Sequence, residues 1–159
     1  MKNTLKKAAI ALSAFSVVLL AVPHQLTAQD VKPGLWAGTW KFNPEKSKFP
    51  GHAPQADQVT IDPDFTITVE ETSSTGKQSK WSYKPQQGTA VPVTGRGDNV
   101  TVLATKVSPY KTTQEWNYNG RMAKSYATLS KDGKTQTFHM TGTDKDGKPF
   151  TEMVVFEKQ

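Results

Sequence analysis

Few residues in this chain have the types and spacings that chemistry needs. There is no cysteine, which removes disulfides, thiolate metal sites, iron–sulfur clusters and a catalytic thiol. Beyond the first 28 residues two histidines remain, His52 in a Pro/Gly-rich stretch and His139 between Phe138 and Met140. They are far apart in sequence, and a zinc site needs three or four convergent ligands. Glu70 and Glu71 are neighbours on an expected strand and so point to opposite faces, which is wrong for paired acid–base work. Asp144-Lys145-Asp146-Gly147 has the look of a calcium loop but lacks the distant glutamate; Glu152 arrives too early, so a hairpin turn explains it. No serine sits in a strained elbow of the kind hydrolases use. These readings point away from an enzyme, a metal and any cofactor.

What the chain has in quantity is aromatic side chains at alternating positions. Trp81 pairs with Tyr83, Trp116 with Tyr118 and Phe138 with Met140, each pair two residues apart and therefore on one face of a strand. Such a set either fills a core or lines an apolar cavity in which a few polar groups, Gln114 and Ser79 here, orient a small hydrophobic or amphipathic ligand. His139 falls on the face opposite Phe138 and Met140 and is expected to meet solvent.

The elements that hold these residues are strands. Period-two alternation runs through the chain, broken by turn dipeptides, with no sustained 3.6-residue period. Strands are expected over 35–42, 58–62, 65–72, 77–84, 90–93, 99–107, 111–118, 121–130, 135–143 and 150–158. Asn43-Pro44-Glu45 opens one short helical turn, and Phe49 to Ala56 is a loop. Asn119-Gly120, Asp132-Gly133 and Asp146-Gly147 supply tight hairpins, their glycines 13 and 14 residues apart. A sheet of nine or ten strands curls, and closure removes its two exposed edges. The expected fold is all-β: an antiparallel up-and-down meander closed into an eight- to ten-stranded barrel, with a β-sandwich as the competitor.

Residues 1–28 read as an export signal. Lys2, Lys6 and Lys7 precede an apolar stretch from Ala8 to Val22, and Leu26-Thr27-Ala28 offers a small residue at the cleavage edge. A helix of that length rises roughly 22 Å, short of the ~30 Å hydrocarbon core. Cleavage near Ala28 leaves 29–159 as a single barrel domain in the periplasm or outside the cell. The membrane is then met through the signal alone. Three of the 20 basic residues and no acid lie in that segment, so the net charge of +6 falls to +3 beyond it. With two arginines, Arg96 and Arg121, nucleic acid is not an expected partner.

Gly38-Thr39-Trp40, early in the exported part, resembles the G-x-W opening of the calycin superfamily: lipocalins, fatty-acid-binding proteins and avidins. Gly34-Leu35-Trp36 is a second register for it. The run on to Lys41-Phe42-Asn43 and Ser47-Lys48-Phe49, with the closing Val154-Val155-Phe156-Glu157-Lys158, is similar to a group of short secreted bacterial proteins of unassigned function. The resemblance implies a lipocalin-like barrel in which Gly38 admits a neighbouring segment and Trp40 plugs one end. Lipocalins commonly stack a last-strand arginine on that tryptophan; residues 149–158 hold no arginine, and Lys158 is their one basic side chain. The implied function is carriage of a small apolar ligand. A filled barrel contacting an envelope protein through its outer face or the loops at 49–56 and 89–98 is the alternative, and an enzyme on the same barrel the third.

Overall fold

The computed structural model describes residues 34–159; the export segment read at 1–28 lies outside them. Ten antiparallel strands form: β1 (Gly38–Phe42), β2 (Ala56–Ile61), β3 (Ile67–Thr72), β4 (Gln78–Tyr83), β5 (Ala90–Pro92), β6 (Val100–Ser108), β7 (Lys111–Tyr118), β8 (Arg121–Leu129), β9 (Thr135–Thr143) and β10 (Pro149–Lys158). Their order in the sheet is β4-β3-β2-β1-β10-β9-β8-β7-β6-β5. Ser82 of β4 and Thr94, two residues beyond β5, exchange backbone hydrogen bonds of 2.9 Å each way, so the sheet rolls into a nearly closed barrel. This is the up-and-down meander, not a sandwich. Every strand except β4 pairs with the next in sequence, and β1 pairs with β10.

The turn chemistry explains the hairpins. Asn119 (φ 53°) and Gly120 (φ 90°) take up the left-handed conformations that a two-residue connection needs. Asn43 caps the short 3₁₀ turn Pro44–Lys46, its side chain accepting from the Lys46 N–H at 3.1 Å. Where the alternation misleads, local geometry wins. Alternation places Trp36 on the first strand with Trp40. It sits instead in a 3₁₀ turn, Gly34–Trp36, that folds across one end of the barrel. Phe65, expected to open the third strand, has φ 68° and donates its N–H to the Asp62 carbonyl at 2.9 Å, so it belongs to the turn before β3.

Because connections alternate between ends, the barrel has two distinct ends. One holds the β2–β3, β4–β5, β6–β7 and β8–β9 turns and is covered by Trp36, whose Nε1 donates to the Pro109 carbonyl at 2.8 Å. Trp40, 0% exposed, donates its Nε1 to the Trp36 carbonyl at 2.9 Å. Lys158 lays its Nζ 5.1 Å from the centre of the Trp40 ring and donates to the Leu35 carbonyl at 2.9 Å. The last-strand cation is thus present as lysine. A Cβ on Gly38 (φ 129°) would lie 2.8 Å from Lys158 Cε, so that glycine makes the room for the lysine. The other end holds the long β1–β2 connection and the turn at Gly95-Arg96-Gly97.

Candidate functional site

The barrel encloses a cavity of about 360 Å³. Trp81, Tyr83, Trp116, Tyr118, Phe138 and Met140 all stand on its wall, the two members of each pair on one strand face. Trp116 is edge-on to both Trp81 (ring centres 5.9 Å apart) and Tyr83 (5.6 Å), and stacks on Tyr118 at 5.9 Å. Trp40 and Gly38 are not on the wall; they belong to the closed end. Gln114 is on it, in a buried relay: Trp116 Nε1 donates to Ser125 Oγ at 2.9 Å, and Ser125 donates to Gln114 Oε1 at 2.8 Å. Gln114 Nε2 then donates to Thr112 Oγ1 at 2.8 Å.

One expectation fails. Ser79 shares the face of Trp81 and Tyr83 but is exposed near the outer end of β4, opposite Glu71, and does not line the cavity. Tyr126 is 39% exposed. It stacks on His139 at 4.6 Å on the outer face, since its neighbours Ser125 and Ala127 take the inner positions. His139 therefore faces outward, as its strand position implies.

The sequence does not point to the charged groups of the cavity as lining an interior. Asp57, Glu71 and Glu152 line it, with Arg96 from the glycine turn. Asp57 and Glu71 are cross-strand partners in β2 and β3. Alternation carries the signal: Asp57 is in phase with Val59 and Ile61, Glu71 with Val69, and Glu152 with Val154 and Phe156. Each acid thus continues an apolar face. Burial pushes the Asp57 carboxyl up to about 7, with the Glu71 charge adding to the effect and Arg96 opposing it. Burial likewise raises Glu152, against the pull of Arg96. Burial also holds the Tyr83 and Tyr118 hydroxyls above their ordinary range, so both stay protonated. The Arg96 guanidinium rests 4.4 Å from the Trp81 ring centre and 5.4 Å from that of Tyr118. Among the described residues it makes no ion pair within 4 Å.

Three buried polar atoms find no hydrogen-bond partner among the described residues: Asp57 Oδ1, Trp81 Nε1 and Gln136 Oε1. All three residues line this one cavity. Buried polar atoms are normally satisfied, so three exceptions lining one cavity mark where water or ligand groups belong. Among the described residues no three His, Asp or Glu side chains converge to hold a metal ion.

This geometry defines an antiparallel up-and-down β-barrel with an internal aromatic cavity. Two solved structures share the fold. The fluorescent protein UnaG matches at TM-score 0.52 and 15% identity over 80% of this chain and 99% of its own. A Schistosoma mansoni fatty acid binding protein, solved in complex with arachidonic acid, matches at TM-score 0.52 and 18% identity over 80% and 98%. No protein-family model and no curated protein matches the chain.

Proposed function

We propose that this protein is a secreted binding protein, periplasmic or extracellular, that holds a small hydrophobic or amphipathic molecule inside its barrel without transforming it. The observation that carries this is the cavity. At about 360 Å³, with an aromatic wall and unsatisfied polar atoms, it falls in the size range of small-molecule sites. A filled barrel acting through its outer surface would have had a continuous core. The Schistosoma mansoni barrel, solved with arachidonic acid, lends support as a fold that accommodates an amphipathic guest.

Export rests on the three lysines, the apolar stretch from Ala8 to Val22 and the small residue Ala28. The second reading, an enzyme, draws on the convergence of Asp57, Glu71, Glu152 and Arg96 in the cavity. Against it stands the hydrogen bonding. Ser125, the buried serine hydrogen-bonded to the wall residues Trp116 and Gln114, accepts from the one and donates to the other, and neither is a base. Native mass spectrometry of protein taken from the cells that make it tests the carrier reading. A co-purifying small mass supports it, and repeated bare protein contradicts it.

A further inference from the structure

The charge balance of the cavity is one-sided. Its Arg96 end presents three carboxyls, Asp57, Glu71 and Glu152, to one guanidinium. The other charged lining group, Lys106, belongs to the β6–β7 hairpin at the Trp36 end, and His52 comes from the β1–β2 connection. An anionic head group entering here would add its charge to three carboxyls beside one lining arginine, Arg121 lying off the wall with its guanidinium 6.0 Å from the Tyr118 ring centre, in surroundings partly withdrawn from water, where charges act more strongly. A cation meets the opposite: carboxylates to pair with and the faces of Trp81, Trp116 and Tyr118 to rest on. The structure already shows a cation in this place. Arg96 lays its guanidinium against those three rings, at 4.4, 6.0 and 5.4 Å from their centres, rather than in an ion pair with any described residue.

The turn that carries Arg96 is fixed against β4. Gly95 has φ 86°, and a Cβ there would sit 2.4 Å from the Lys80 carbonyl oxygen, so its backbone packs directly on β4. Thr94 beside it carries the Ser82 bridge that closes the barrel. The Arg96 side chain itself is exposed and tethered by no hydrogen bond among the described residues.

We propose that the cavity takes an amphipathic organic cation, its amine or guanidinium head lodged among Asp57, Glu71, Glu152 and the Trp81, Trp116 and Tyr118 rings. Arg96 is the chain's own stand-in for that head, and swings out when ligand enters. The unpartnered Trp81 Nε1, on a side chain only 9% exposed, faces the same cavity and is a donor for an oxygen next to the charged head. The inference rests on the carrier reading and narrows its ligand class.

The test uses the whole exported protein and three probes of equal chain length: octylamine, octanoate and octanol, titrated calorimetrically near neutral pH. Octylamine is expected to bind about tenfold more tightly than octanol, and octanoate more weakly than either. Arg96→Ala, which vacates the rings, is expected to raise octylamine affinity several-fold, and Glu152→Gln to lower it, with octanol little changed by either. Circular dichroism melts confirm that both variants fold. Octanoate binding as tightly as octylamine overturns the proposal, and so does Arg96→Ala weakening the amine. If octanol binds but octylamine binds no better, the cation assignment fails and the carrier reading stands. If none of the three binds, both fall.

Discussion

Replacing Asp57 by asparagine should change how the protein's stability depends on pH. Unfolded, the Asp57 carboxyl titrates near about 3.9. In the barrel it titrates at about 7, because burial and the Glu71 and Glu152 charges outweigh the attraction of Arg96. Between those values the folded protein holds a proton that the unfolded chain has released, so stability falls as pH rises through this window. The gap of about three units corresponds to as much as ~4 kcal/mol by pH 8, since each unit is worth about 1.4. The asparagine side chain keeps the shape and cannot ionise. Urea unfolding at pH 4, 6 and 8 should show the two proteins nearly equal at pH 4 and the variant more stable by about 2–4 kcal/mol at pH 8. A smaller slope of the same sign remains in the variant, because Glu152 is also raised. Parallel stability profiles for wild type and Asp57→Asn would refute the burial and charge crowding inferred for this end of the cavity.

Gly95→Ala should destabilise by about 1–3 kcal/mol, because the new methyl meets the Lys80 carbonyl at 2.4 Å from a backbone at φ 86°; thermal melts measure it, and unchanged melting denies the close seam between β4 and the Arg96 turn. Ser125→Ala leaves Trp116 Nε1 and Gln114 Oε1 without their shared partner, a loss of about 1–3 kcal/mol readable by denaturant unfolding. Lys158→Ala should lower stability by about 0.5–1 kcal/mol and shift tryptophan emission, as the cation leaves the Trp40 face. Intact mass of the protein from the culture medium or periplasm should show a chain beginning at Gln29; a full-length mass there contradicts the export reading.

The strands after residue 111 are legible because each turn is written in an Asn-Gly or Asp-Gly pair. β7 and β9 begin and end where the sequence places them, and parity puts Trp81 with Tyr83, Trp116 with Tyr118 and Phe138 with Met140 on shared faces; closure of the barrel turns those faces toward the cavity. Parity fails where a single backbone angle redirects the chain. Gly34 (φ 55°) folds Trp36 into a 3₁₀ turn despite its phase with Trp40, and Phe65 (φ 68°) extends a turn into residues that alternate like a strand. Parity also does not say how far along a strand the cavity reaches, which is why Trp81 lines it and Ser79 does not. The acids at 57, 71 and 152 are visibly in phase with apolar residues, but a carboxylate on an expected strand ordinarily faces water. Arg96 carries no signal. Its inward lean comes from Gly95 packing on β4, a contact between segments that only closure brings together.

The most direct measurement compares the wild-type protein with Ala127→Phe by native mass spectrometry after expression in the natural cells. Ala127 is buried on the cavity wall, and a phenyl ring there occupies the space a guest needs. The account predicts a small bound mass on the wild type and none on the folded variant. A wild type that never carries one, or a variant that carries it equally, contradicts the claim that the interior of this barrel is a binding site.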